Sequence, residues 1–230
     1  MKKIKFKGFL ILFLIFIVGI FGFNYIYKKL NGNPVMIKET AELLKEQMEE
    51  KYGIIVIKSE GFYTTDIGYA ATLTTESGIT FDAWRRKNSD VNFYMEEVWR
   101  RKGIDKWGNV GDFITGTESI ELNVGYREEG KKDVHKLIKP IEEVNNELWL
   151  TIYVDLKEAY KKEKAKEIEK EIFKYYQFLQ QNGAEEVELI VRYNENFLKR
   201  DTGSYMIIRN AEGKLPNIRD VEDVSETLNK

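Results

Sequence analysis

No cysteine occurs among the 230 residues, which excludes disulfides, thiol nucleophiles and thiolate metal sites. Histidine is nearly as scarce. The single one, His135, stands in the charged run Lys-Asp-Val-His-Lys, with no G-x-S-x-G motif to supply a nucleophile and no second His or Cys to share a zinc ion. It reads as a surface histidine beside a helix cap. Phosphate-cradling loops are missing too, because neither G-x-x-x-x-G-K-[ST] nor G-x-G-x-x-G is present. The acidic stretch Asp105 to Asp112 lacks the D-x-D-x-D-G spacing of a calcium loop. No cofactor or metal is therefore expected.

A strong excess of charge is also lacking, with 36 basic and 38 acidic residues. Four of the basic ones, Lys2, Lys3, Lys5 and Lys7, crowd the N-terminus, so the rest of the chain carries 32 basic against all 38 acidic residues. A domain of that balance is a poor partner for nucleic acid or for an anionic lipid surface as a whole.

Long hydrophobic runs are limited to one. Gly8 to Tyr27, GFLILFLIFIVGIFGFNYIY, holds no charge and only Asn24 as a strongly polar side chain. As a helix it rises about 30 Å, the thickness of a bilayer core. It is longer than the apolar core of a cleavable signal, and no A-x-A-like site follows it. An uncleaved transmembrane helix is expected, with Phe21, Phe23, Tyr25 and Tyr27 as an interfacial belt before Lys28 and Lys29. The lysine asymmetry predicts a cytoplasmic tail of residues 1–7, a span at 8–27 and an extracytoplasmic remainder. The reverse orientation is the alternative. Absence of disulfides argues mildly against an exterior location but fits the outside of a Gram-positive cell.

Beyond a linker at 28–33, Asn33 and Pro34 read as N-cap and first residue of a helix to Tyr52, closed by Gly53. Ile37, Ala41, Leu44 and Met48 form its apolar stripe. Ile54 to Glu60 reads as a strand buried on both faces. A hairpin follows, with Tyr69, Ala71 and Leu73 on one arm, Glu76-Ser77-Gly78 at the turn and Ile79, Phe81 and Ala83 on the other. A helix from Asp90 to Lys102 is expected to stop at Gly103. The glycine-rich stretch Ile104 to Thr117 is irregular, a strand covers Ile120 to Tyr126, and a short helix is expected within Asp133 to Asn146. Strands at Leu148–Leu156, Val187–Tyr193 and Tyr205–Arg209 flank a long helix at Glu158–Gln181, and a short amphipathic helix ends the chain.

The fold class expected is α+β, a transmembrane helix followed by a helix-on-antiparallel-sheet ectodomain. Its subdomains are placed at 34–146 and 147–230. These are similar in pattern, each with a helix ending in Gly (53 and 183), a strand, and a second strand entered through Tyr (69 and 205). In residues 36–84, ETAELLKEQMEEKYG, IIVIKSEG and GYAATLTTESGITFDAW resemble the helix, strand, hairpin order of PepSY-type extracytoplasmic domains. They resemble equally the single-pass membrane-anchored proteins of unknown function in low-GC Gram-positive bacteria, with a fainter echo at 158–215. The resemblance implies an envelope-facing regulatory or binding module and carries over no catalytic residue.

One surface mixes tryptophans with charge: Trp84, Trp99 and Trp107 with Glu97, Asp105 and Asp112, and the basic clusters containing Arg85, Arg86, Arg100 and Arg101. This is the candidate ligand or partner surface. A sugar-binding or paired-carboxylate site would use such a mix, and the arginines would suit an anionic partner. The leading expectation is a non-catalytic binding or regulatory module, held at the membrane and meeting an envelope protein or wall component. The alternatives are a wall-active hydrolase using paired carboxylates and a structural subunit of an envelope complex.

Overall fold

The computed structural model describes residue 16 and residues 30–85, 90–127, 139–194 and 203–229. The fold is α+β, with two sheets and helices packed on them. Among the described residues no helix is long and apolar enough to cross a membrane. The run Gly8–Tyr27 lies outside them except for Phe16, as do Arg86, His135 and the start of the helix expected at Asp133.

The chain divides into two compact units, residues 1–94 and 95–230. The expected boundary at 146/147 would cut through a nine-position ladder, since residues 117–126 pair with residues 148–156. That long-range pairing leaves no mark in local composition.

The first unit is built on helix α1 (Pro34–Tyr52). Asn33 caps it by accepting from the Val35 amide at 3.1 Å, and Gly53 closes it in the left-handed region at φ 64°. Ala41, Leu44 and Met48 are its buried residues. They face an antiparallel sheet of β1 (Val56–Thr64), β2 (Gly68–Thr75), β3 (Thr80–Arg85) and β4 (Asp90–Asn92), in that order. Leu73, Phe81 and Ala83 complete the core, and Tyr94 stacks obliquely on Tyr52 and Phe81 at 4.8 and 5.1 Å.

The apolar run at 54–57 is not buried on both faces. Strand β1 is the edge of its sheet and bulges between Val56 and Lys58, so that Val56 goes inward while Ile55 and Ile57 stay 59% and 64% exposed. Continuous apolarity marks a doubly buried strand only where both faces of the sheet are covered.

In the second unit α2 (Tyr94–Trp107, of which Tyr94 belongs to the first unit) starts later and ends later than expected. Residues 90–92, expected to open that helix, form β4. Gly103 does not stop the helix; it lets the helix approach β5 (Thr117–Tyr126) so closely that a Cβ there would lie 2.2 Å from Leu122 Cδ2. A one-turn helix α3 (Ile141–Val144) precedes β6 (Leu148–Leu156). Then come α4 (Ala165–Gln181), β7 (Val187–Tyr193), β8 (Ser204–Ile207), α5 (Val221–Glu226) and β9 (Leu228–Asn229).

The sheet order is β5-β6-β7-β8-β9. It is mixed rather than purely antiparallel, because β6 and β7 run parallel and α4 is the crossover between them. Along β6 and β7 the inward set Leu150, Ile152, Val154, Val187, Leu189 and Val191 is buried. From α4 come Ile172, Tyr175, Tyr176 and Leu179. The expected similarity between halves is confined to a helix ended by a left-handed glycine and an antiparallel strand pair. It stops there, because β1 is an edge strand whereas β7 lies inside its sheet.

Candidate functional site

The structure does not assemble the tryptophan-rich surface. Trp99 and Trp107 are fully buried, their indole nitrogens donating to the carbonyls of Lys139 at 3.0 Å and Asn182 at 3.1 Å. Both rings are core and cannot stack on a ligand. Trp84 is half-buried and packs 5.2 Å from Phe93 in the first unit, where Arg85 is exposed.

Glu97 receives the Arg100 side chain, with Nε at 2.7 Å, and that pair occupies both side chains. Asp105 is exposed on the same helix, eight residues on, which is a rise of about 12 Å. Asp112 is exposed in the single 3-10 turn Val110–Asp112, and Arg101 is exposed. No carboxylate pair with an aromatic platform results. Tryptophan and charge were close in sequence because a buried and a wet face alternate along one helix.

The structure places a different site in the second unit. A cavity of about 640 Å³ opens where β5 begins, β6 and β7 end, and β8 begins. Parallel strands present their last residues and the loops after them together, which is where open α/β sheets bind ligands. Here those residues are Asp155 and Leu156 from β6, and Arg192, Tyr193 and Asn194 at the end of β7. Glu118 and Ser119 from β5, Ser204 from β8 and Asn229 from β9 complete a polar lining.

Strand register builds the centre of this site. Asp155 sits opposite Ser119 on one side and opposite Arg192 on the other. Arg192 donates from Nε to Asp155 Oδ1 at 2.7 Å and from Nη2 to Oδ2 at 3.1 Å, while Ser119 Oγ donates to Oδ2 at 2.8 Å. The guanidinium also lies over the Tyr153 ring at 4.7 Å. Partial burial raises the Asp155 pKa, but the bonds from Arg192 and Ser119 and the Arg192 charge outweigh it and hold the carboxyl below its usual range. Arg192 is correspondingly raised. Neither group is poised to exchange a proton near neutrality. Burial pushes the Tyr193 phenol up to about 12, so it stays a neutral hydroxyl.

A smaller cavity of about 180 Å³ lies beside it, between the turn at 115–116 and the start of α4. Glu158 there accepts from Lys161 at 3.0 Å and Lys164 at 3.1 Å, and Glu171 accepts from the Thr115 amide and hydroxyl at 2.9 Å, so these two carboxylates are already engaged. Among the described residues no group of three or more acidic or imidazole side chains is arranged to hold a metal ion.

No family model, no curated protein and no solved structure matches the chain. The site's residues were missed at the sequence level because Asp155 and Arg192 are 37 positions apart. A signal did exist: within the strand-like runs 148–156 and 187–193, these were the charged residues at the outward positions near the carboxyl ends.

Proposed function

We propose that this chain is a single-pass, membrane-anchored protein with its C-terminal units outside the cytoplasm, acting as a non-catalytic binding module for an envelope component. The cavity at the end of β6 and β7 is its ligand site. The anchor rests on the uncharged run Gly8–Tyr27 and the lysines before it. The binding role rests on one observation, the mutual neutralisation of Asp155 and Arg192 at the centre of the polar cavity.

That pairing favours an uncharged ligand rich in hydroxyls or amides. A free arginine would select phosphate or carboxylate, and a free carboxylate would select a cation. With Glu118 the charged lining is net acidic, which disfavours anions. Planar side chains, namely Asp155, Arg192, Asn194 and Asn229, suit the paired hydroxyls of a wall saccharide. The helix, strand, hairpin order of the first unit is the order on which the resemblance to PepSY-type domains rests. A wall-active hydrolase draws no support from Glu97, Asp105 and Asp112 as they stand.

The test is equilibrium binding of neutral oligosaccharides bearing N-acetyl groups to the full chain in nanodiscs. Saturable binding is expected, together with its loss on Ser204→Phe, which fills the cavity from β8. Tighter binding of an anionic wall polymer than of any neutral glycan would overturn the reading, as would ligand turnover abolished by Asp155→Asn.

A further inference from the structure

Exposed large apolar side chains are few in the described residues, and three of them fall within seven positions of the sequence. Leu30 is 62% exposed, Val35 61% and Met36 44%. Leu30 follows the end of the apolar run Gly8–Tyr27 by three residues, and Val35 and Met36 lie in the first turn of α1. The inward face of α1 belongs to Ala41, Leu44 and Met48, so these three are not core residues displaced from their packing.

Charge along the chain changes at the same place. The first acidic residue is Glu39, and every charged side chain before it is a lysine. Past that point the outward face of α1 is largely acidic, through Glu39, Glu42 and Glu46. A surface apolar and basic at one end and acidic beyond fits a lipid interface at that end alone. The net acidity of the rest of the chain then limits the contact to the first turn.

We infer that Leu30, Val35 and Met36 are buried in the interface of the same bilayer that Gly8–Tyr27 spans, so that the start of α1 rests on the membrane and the helix leads away from it. The expected linker at 28–33 is shorter than the sequence suggests, because Leu30 and Asn31 are helical and only Gly32 and Asn33 separate them from α1, a reach of at most about 7 Å. The Asn33 cap and Pro34 fix the direction in which α1 departs. This inference rests on the anchor reading above. It makes the first unit a docked domain rather than a freely swinging one.

The cysteine-free chain permits a direct test. Single-cysteine forms Met36→Cys, Val35→Cys and Glu46→Cys of the full protein carry an environment-sensitive fluorophore in nanodiscs of phosphatidylcholine and phosphatidylglycerol. Positions 36 and 46 are about 15 Å apart along the helix. At 35 and 36 the emission should be blue-shifted, quenched by lipids with a shallow nitroxide, and several-fold less sensitive to iodide than at 46. Equal iodide quenching at 36 and 46 in incorporated protein overturns the docking and leaves the anchor standing, and shielding at all three positions overturns the limit to the first turn. Removal of the protein from bilayers by alkaline carbonate overturns the anchor and the docking together.

Discussion

Tyr175 on α4 donates its hydroxyl hydrogen to the carbonyl oxygen of Trp107 at 2.7 Å, inside the core of the second unit. Trp107 is the last residue of α2, so this carbonyl is one of those a helix end leaves without an intrahelical partner. The Trp107 indole meanwhile donates to Asn182, just past the end of α4. The two bonds fasten the end of α2 to the middle and the end of α4. Tyr175→Phe keeps the ring and leaves the carbonyl unpaired, which costs about 1–3 kcal/mol. Urea unfolding should show a lower midpoint with an unchanged slope.

The approach of α1 to β1 depends on a missing side chain. A Cβ on Gly61 would lie 2.4 Å from the carbonyl oxygen of Ile37, a backbone atom that cannot rotate aside. Gly61→Ala should therefore push helix and strand apart and destabilise the first unit by about 1–3 kcal/mol. Gly53→Asn, at a left-handed position with open space around it, should cost far less. Thermal unfolding of the two variants side by side checks the contrast.

Acid should weaken the second unit through Glu186. Burial pushes its carboxyl up, but hydrogen bonds from Arg127 and Arg209 and their charges prevail and hold it below the usual range. A carboxyl depressed in the folded state stabilises above the unfolded value, near 4, and that contribution disappears as pH falls through the folded value. Denaturant midpoints should drop below about pH 4. In Glu186→Gln the neutral-pH midpoint should be lower and the acid-induced drop smaller.

Helix α1 was legible to the residue because capping and periodicity are local: Asn33, Pro34, the 3-4 spacing from Ile37 to Met48, and Gly53 all act within one turn of what they specify. Strands β6 and β7 were equally plain from alternation and composition. Their parallel pairing was not, because it depends on where α4 returns the chain. Nor was the exposure of Ile55 and Ile57, because Ile55 precedes β1 and Ile57 sits at its bulge. The tryptophans misled for a related reason. Trp99 and Trp107 look like ligand platforms beside Arg100 and Asp105, and only the packing of α2 shows that they face inward.

The proposed envelope-binding role requires the folded units to lie outside the cytoplasm. One cysteine introduced at Glu212, an exposed turn residue, reports this in living cells through a membrane-impermeant maleimide. Labelling of intact cells at the level reached after lysis is the predicted result. Labelling only after lysis would place the cavity in the cytoplasm and contradict an envelope-binding role.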